Sequence, residues 1–104
     1  MQRDRPDFSR YISADNTAAP GILLFQNPGN SIRISDISVW NQDVAAATVT
    51  FYDELSAVYL ILRLAADENA IISLNRPIVY GLRSVYVRTS QATNTEITIT
   101  GWLS

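Results

Sequence analysis

The run AVYLILRLA, residues 57–65, is the most continuously apolar stretch in the chain, and any fold has to cover it. Val58, Leu60, Leu62 and Leu64 share one parity, and so one face of a strand, while Tyr59, Ile61 and Arg63 share the other. This pattern predicts a strand in the middle of a sheet. Its second face is also largely apolar, so it is expected to meet protein on both sides, either another layer of the same fold or a neighbouring subunit.

The remaining runs are short, alternate in polarity and are separated by turn chemistry. Residues 1–20 mix charges with small polar groups (RDRPD, SADNTAAP) and show neither apolar period, which predicts an extended N-terminal arm. Its only sizeable apolar groups, Phe8, Tyr11 and Ile12, either dock the arm elsewhere or belong to a frayed terminus. A single sandwich domain is expected over residues 21–104. Its first strand, Ile22–Phe25, runs into Gln26-Asn27-Pro28-Gly29-Asn30, where proline followed by glycine fits the central pair of a type II turn. Residues 31–41 carry Ile32 and Ile34 on one parity but Ile37 and Val39 on the other. A bulge at Ser35-Asp36 would return both pairs to the core.

Ala47–Tyr52 reads as a plain half-buried strand, ended by Asp53-Glu54 and joined by a hairpin-length connection to the apolar run, which Asp67-Glu68-Asn69 closes. In residues 70–75, Ile72 and Leu74 face inward. The strand then ends at Arg76-Pro77 or runs along an edge, because proline donates nothing to a central ladder. Residues 78–82 form a short strand or an ordered corner. Residues 84–89 place Val85 and Val87 inward with Tyr86 and Arg88 outward, and residues 90–94 (SQATN) make a turn. Thr95–Leu103 alternates Ile97, Ile99 and Leu103 with Thr98, Thr100 and Trp102. Seven to eight short strands without a helical period define an all-β chain, an antiparallel β-sandwich of jelly-roll or immunoglobulin-like type.

At 104 residues the chain suits one domain that buries a core without metals or disulfides. It has no cysteine and no histidine, and its eight basic residues are all arginine. Thiolate and histidine chemistry, cysteine-type zinc sites, Schiff bases and a P-loop are therefore excluded. The net charge of -2 argues against a nucleic-acid partner. The opening MQRDRPDF lacks a signal peptide's apolar core, and no run nears the roughly 20 apolar residues of a membrane helix, so a soluble, unprocessed chain without membrane contact is expected. Arginine used to the exclusion of lysine reflects either coding bias or interface chemistry, in which the planar guanidinium pairs with carboxylates and stacks on rings.

The outward parity gathers Tyr59, Ile61, Tyr86, Arg88 and Trp102, with Tyr52 beside them. Such a surface is covered by the arm or a loop, serves as a subunit or partner interface, or stacks on sugars; aromatics and arginines are the usual interface anchors. With Phe8 and Tyr11 of the arm, these residues are the interface candidates. Asp53-Glu54 and Asp67-Glu68 could hold calcium or divide acid and base roles, but each follows a strand in a turn where acids keep the loop solvated. No serine stands in a GxSxG context. Thr48, Thr50, Thr98 and Thr100 are ordinary strand residues. No catalytic, cofactor-binding or metal residue is identified, and a non-enzymatic protein without cofactors is expected.

The succession of a polar arm, ISDISVWNQ, VTFYDE, the apolar strand, ISLNRPIVYGL, SVYVRTS and TEITITGW resembles the small β-sandwich virion proteins of tailed bacteriophages, above all capsid decoration or cement proteins. The resemblance implies a structural protein, made in the host cytoplasm and placed on the capsid surface, that assembles as a homo-oligomer, commonly a trimer. Its partner would be the major capsid protein or another virion protein. The alternative it implies is a carbohydrate-binding module associated with a tail or fibre.

Overall fold

The computed structural model describes residues 6–14, 18–90 and 95–104. Where apolar residues recur every second position the backbone is extended. The strands are β1 (Phe8–Ala14), β2 (Ile22–Phe25), β3 (Ile32–Asn41), β4 (Ala47–Tyr52), β5 (Val58–Leu64), β6 (Asn69–Gly81), β7 (Val85–Thr89) and β8 (Thr95–Leu103). They form two antiparallel four-stranded sheets, a first in the order β1-β8-β3-β6 and a second in the order β2-β7-β4-β5. Every connection except the β4–β5 hairpin passes from one sheet to the other. This is the jelly-roll arrangement rather than the immunoglobulin one.

The core lies between the sheets. Ile32, Ile34, Ile37, Val39, Ile97 and Ile99 of the first sheet meet Val49, Phe51, Val85 and Val87 of the second, all of them buried. Full burial of an aliphatic or aromatic side chain contributes about 1.5–3 kcal/mol, so these central strands carry most of the stability.

β3 is continuous across the expected bulge. Ile34 pairs with Gly101 and Asp36 with Thr100, leaving Ser35 as the extra residue, and both isoleucine-containing pairs face the core. Opposite it, β6 carries residues 74–77 between the partners of the same two positions, Ile78 and Ser73. Pro77 sits in that unpaired stretch of an edge strand, where its missing N–H costs no ladder bond. The chain between β2 and β3 turns through Gly29 at φ 94°, as a type II turn requires. The part of the expected 90–94 turn from residue 91 onward lies outside the described residues.

Two expectations are corrected. Residues 8–14 are not an arm but β1, paired with β8 from Phe8↔Gly101 to Ala14↔Thr95, so the sandwich begins at Phe8 and not at residue 21. The period is masked because Arg10 occupies an inward position between Phe8 and Ile12, its guanidinium 4.5 Å from the centre of the Phe25 ring. Of the rest of the expected arm, residues 1–5 and 15–17 lie outside the described residues.

The apolar run is also not central. Among the described residues β5 pairs with β4 alone and forms an edge of the second sheet. Its two apolar faces have different causes: one faces the core, and the other forms part of an exposed outer surface.

Candidate interaction faces

The outer face of the second sheet is built from cross-strand neighbours. Leu23, Tyr86, Tyr52 and Val58 form one row, Arg88, Thr50 and Ile61 the next, and Thr48 with Arg63 the third. Val58 and Ile61 remain 53% and 47% exposed, although both are aliphatic, and Leu23 is exposed beside them. The Arg88 guanidinium lies 5.8 Å from the centre of the Tyr52 ring. Arg63 and Arg88 are the charges at the strand positions of this face, and among the described residues no carboxylate occupies a strand position there.

The outer face of the first sheet differs in chemistry. Trp102, Arg33 and Val79 form one row, Thr100, Asp36 and Ser73 a second, Tyr11, Thr98, Ser38 and Ile71 a third, and Glu96, Trp40 and Asn69 a fourth. Tyr11 donates its hydroxyl to Glu96 Oε1 at 2.7 Å, and this bond, more than burial, raises the phenol's pKa. The Ser35 hydroxyl donates to Asp36 Oδ2 at 2.8 Å and, with further donation from Ser73 and Thr100, holds that carboxyl below its usual range. The Trp40 indole donates to Asp67 Oδ1 at 3.1 Å, whereas the buried Trp102 indole nitrogen has no hydrogen-bond partner among the described residues. Ile71 stands 78% exposed at the β6 edge.

The structure therefore divides the single aromatic surface expected from strand parity. Ile61, Tyr86 and Arg88 come together with Tyr52 on the second sheet, whereas Tyr11 and Trp102 lie on the opposite face of the sandwich, on the first. Phe8 belongs to neither. It is buried in the core, its ring centroid 4.6 Å from that of Phe25, and is withdrawn as an interface candidate.

Tyr59 is also withdrawn from the outer surface. Phe51 pairs with Leu60 and Tyr52 with Val58, so Tyr59 is the extra residue of a second bulge, which turns Val58 outward and Tyr59 away from that face. Its ring stacks on Tyr80 at 3.9 Å between centroids and 10° between planes, and its hydroxyl donates to Asp53 Oδ2 at 3.0 Å. Tyr80 is buried and donates to the Tyr52 carbonyl, and burial drives its pKa far above the usual phenol value.

Asp53 Oδ1 accepts from the Leu55 and Ala57 amides, closing the β4–β5 turn. Burial alone would raise the Asp53 pKa. The two amides, the Tyr59 hydroxyl and the Arg83 charge outweigh it and leave the pKa below its ordinary value. Glu54 instead accepts from the Ser84 amide, and Glu68 from the Ala65 amide at 2.7 Å. The two members of each acidic pair thus bond to different groups, and among the described residues no three potential metal ligands gather.

Three surface residues were legible but not singled out from the sequence: Trp40, which follows from the β3 bulge, and Leu23 and Arg63, which follow from simple alternation. Val58 was not, because the β5 bulge leaves no trace in a run that is apolar on both parities.

No protein-family model matches the chain, and a search of curated proteins finds no match. Among solved structures, the fold is similar to that of a protein from the disulfide-linked pili that form Bacillus endospore appendages. The TM-score is 0.53 at 20% identity, covering 93% of this chain and 85% of that one. PirA aligns over 94% of this chain and 96% of its own at 14% identity and a TM-score of 0.47. The lectin-binding domain of Lectinolysin, in complex with Lewis b, aligns over 89% and 70% at 8% identity and a TM-score of 0.47. At these identities the pilus protein shows a shared fold.

Proposed function

We propose that this chain is a non-enzymatic structural module that works by protein–protein contact through its sheet faces, and that it serves as a virion component of the tailed-phage decoration or cement kind. The observation that carries this reading is the outer face of the second sheet, where exposed Leu23, Val58 and Ile61 surround Tyr86, Tyr52, Arg63 and Arg88. Exposed aliphatics set among aromatics and arginines have the composition of an interface centre. The jelly roll is also an architecture of capsid and lectin domains, which supports the virion reading by analogy of fold alone. The pilus protein belongs to disulfide-linked pili. This chain, lacking cysteine, assembles through surface contact only.

The test is the solution mass by light scattering after size exclusion. At about 100 µM, well above a micromolar Kd, the expected result is a mass of several chains. Ile61→Asp should reduce it to one chain while the β-strand circular dichroism is unchanged. A wild-type protein that stays monomeric throughout overturns the self-assembling module.

A further inference from the structure

The two outer faces have opposite electrostatic character. The second sheet presents Arg63 and Arg88 beside Ile61. The first presents Asp36 and Glu96 on the same face as Ile71, with Asp67 at its margin bonded to Trp40, Arg33 as the cation at its paired positions and exposed Arg76 in the unpaired stretch of β6. Packing the second sheet on its own copy brings arginines towards arginines. Packing the first on its own copy brings mostly carboxylates together. Like-charge juxtaposition at a contact costs several kcal/mol in the worst cases, and complementary fields steer association. Only the first face against the second joins opposite charges, and it brings a face on which Tyr11, Trp40 and Ile71 are exposed against one on which Leu23, Val58 and Ile61 are exposed.

We infer that copies of this chain associate front to back, the Asp36–Glu96 face of one seated on the Arg63–Arg88 face of the next. This deepens the proposed function and rests on it. Such a contact is heterologous, and because the two faces look in opposite directions it continues from copy to copy instead of closing into the compact trimer that the sequence resemblance implies. Four strands about 4.8 Å apart, over about six residues each, give a face on the order of 400 Å². That is about half the area each partner buries in a standard interface, so each contact is weak and the length of the row is set by protein concentration.

The discriminating experiment compares the full-length protein with Glu96→Arg and with Arg63→Glu by light scattering at about 100 µM. Each variant alone is expected to fall to the mass of one chain with its strand signal intact. An equimolar mixture should regain mass, because each variant still carries one native face for the other. The wild-type mass should also fall as salt rises from about 0.05 M to about 0.5 M, where the screening length shortens from over 10 Å to a few Å. If Glu96→Arg fails to fold, Thr98→Arg places the same charge on the same face beside Tyr11 and Ser38. A wild type that assembles but is indifferent to the first-sheet variant overturns front-to-back packing while leaving the assembly reading intact; sensitivity to Arg63→Glu alone points to an isologous second-sheet contact. A monomeric wild type overturns both.

Discussion

β3 and β5 each carry one extra residue, yet only one of these bulges is written in the sequence. In β3 the apolar parity changes from Ile32 and Ile34 to Ile37 and Val39, so Ser35 has to be absorbed for all four to reach the core. In β5 both parities are apolar, so moving Tyr59 out of register leaves an equally plausible strand. The β3 bulge is imposed by the hydrophobic pattern, whereas the β5 bulge is held by specific polar contacts: Asp53 closing its turn, and Tyr59 bonded to Asp53 and stacked on Tyr80. A bulge specified by burial should fail all at once when broken, and one specified by hydrogen bonds should fail by degrees.

The largest expected effect is deletion of Ser35. Removing the extra residue shifts one half of β3 by a single position and turns either Ile32 and Ile34 or Ile37 and Val39 out of the core. Loss of two fully buried isoleucine- or valine-sized side chains, about 3–6 kcal/mol, is comparable with the low end of the roughly 5–15 kcal/mol stability of a typical domain. The expected outcome is no cooperative unfolding transition at 25 °C; a normal thermal transition would show that the flanking strands can supply a compensating slip. The next effect comes from Gly101, which lies opposite Ile34 beside the bulge. A Cβ there would overlap the Arg33 carbonyl, so the backbone itself has to move. Gly101→Ala should cost about 3 kcal/mol, the upper part of the overpacking range, read as a lower urea midpoint at unchanged slope.

At the β5 bulge, Asp53→Ala leaves two amides of the turn and the Tyr59 hydroxyl without their acceptor, an expected loss of about 1–3 kcal/mol. The same carboxylate gives this margin a pH dependence. Because its folded pKa lies below the ordinary value, its contribution is complete above the unfolded value of about 3.9 and is lost as pH falls through the lower folded value. Denaturation midpoints should therefore decline on acidification below about pH 4, and Asp53→Asn should flatten the part of that decline that Asp53 supplies. An Asn variant with the full acid slope would assign the slope to other carboxylates, with Asp36, whose pKa is also lowered, the first to examine.

The same distinction explains what else was legible. The sandwich class, the edge position of Pro77, the β3 bulge and the inward sets of β4, β7 and β8 all follow from period-two burial, and the structure has them. β1 was missed because Arg10 interrupts its inward parity, a charge tolerated there by its position over Phe25. The candidate surface was half legible. Parity puts Ile61, Tyr86, Arg88, Tyr11 and Trp102 outward, but only the strand order, which no local pattern encodes, shows that they lie on opposite faces.

The smallest effect is the sharpest probe of how the second bulge is specified. Tyr59→Phe keeps the ring, and with it the stacking on Tyr80, while removing the hydroxyl that donates to Asp53. Asp53 would still accept from the Leu55 and Ala57 amides, so the turn should stay closed and the loss should be about 1 kcal/mol, the typical net value of one hydrogen bond. Tyr59→Ala removes the stack as well and should cost clearly more, because the Tyr80 ring loses its covering partner. Equal losses for the two variants would mean that the stack contributes nothing and the hydroxyl alone fixes the register of β5. If Tyr59→Phe is neutral instead, packing places the bulge and its polar contacts only follow, and the contrast with β3 reduces to one of degree.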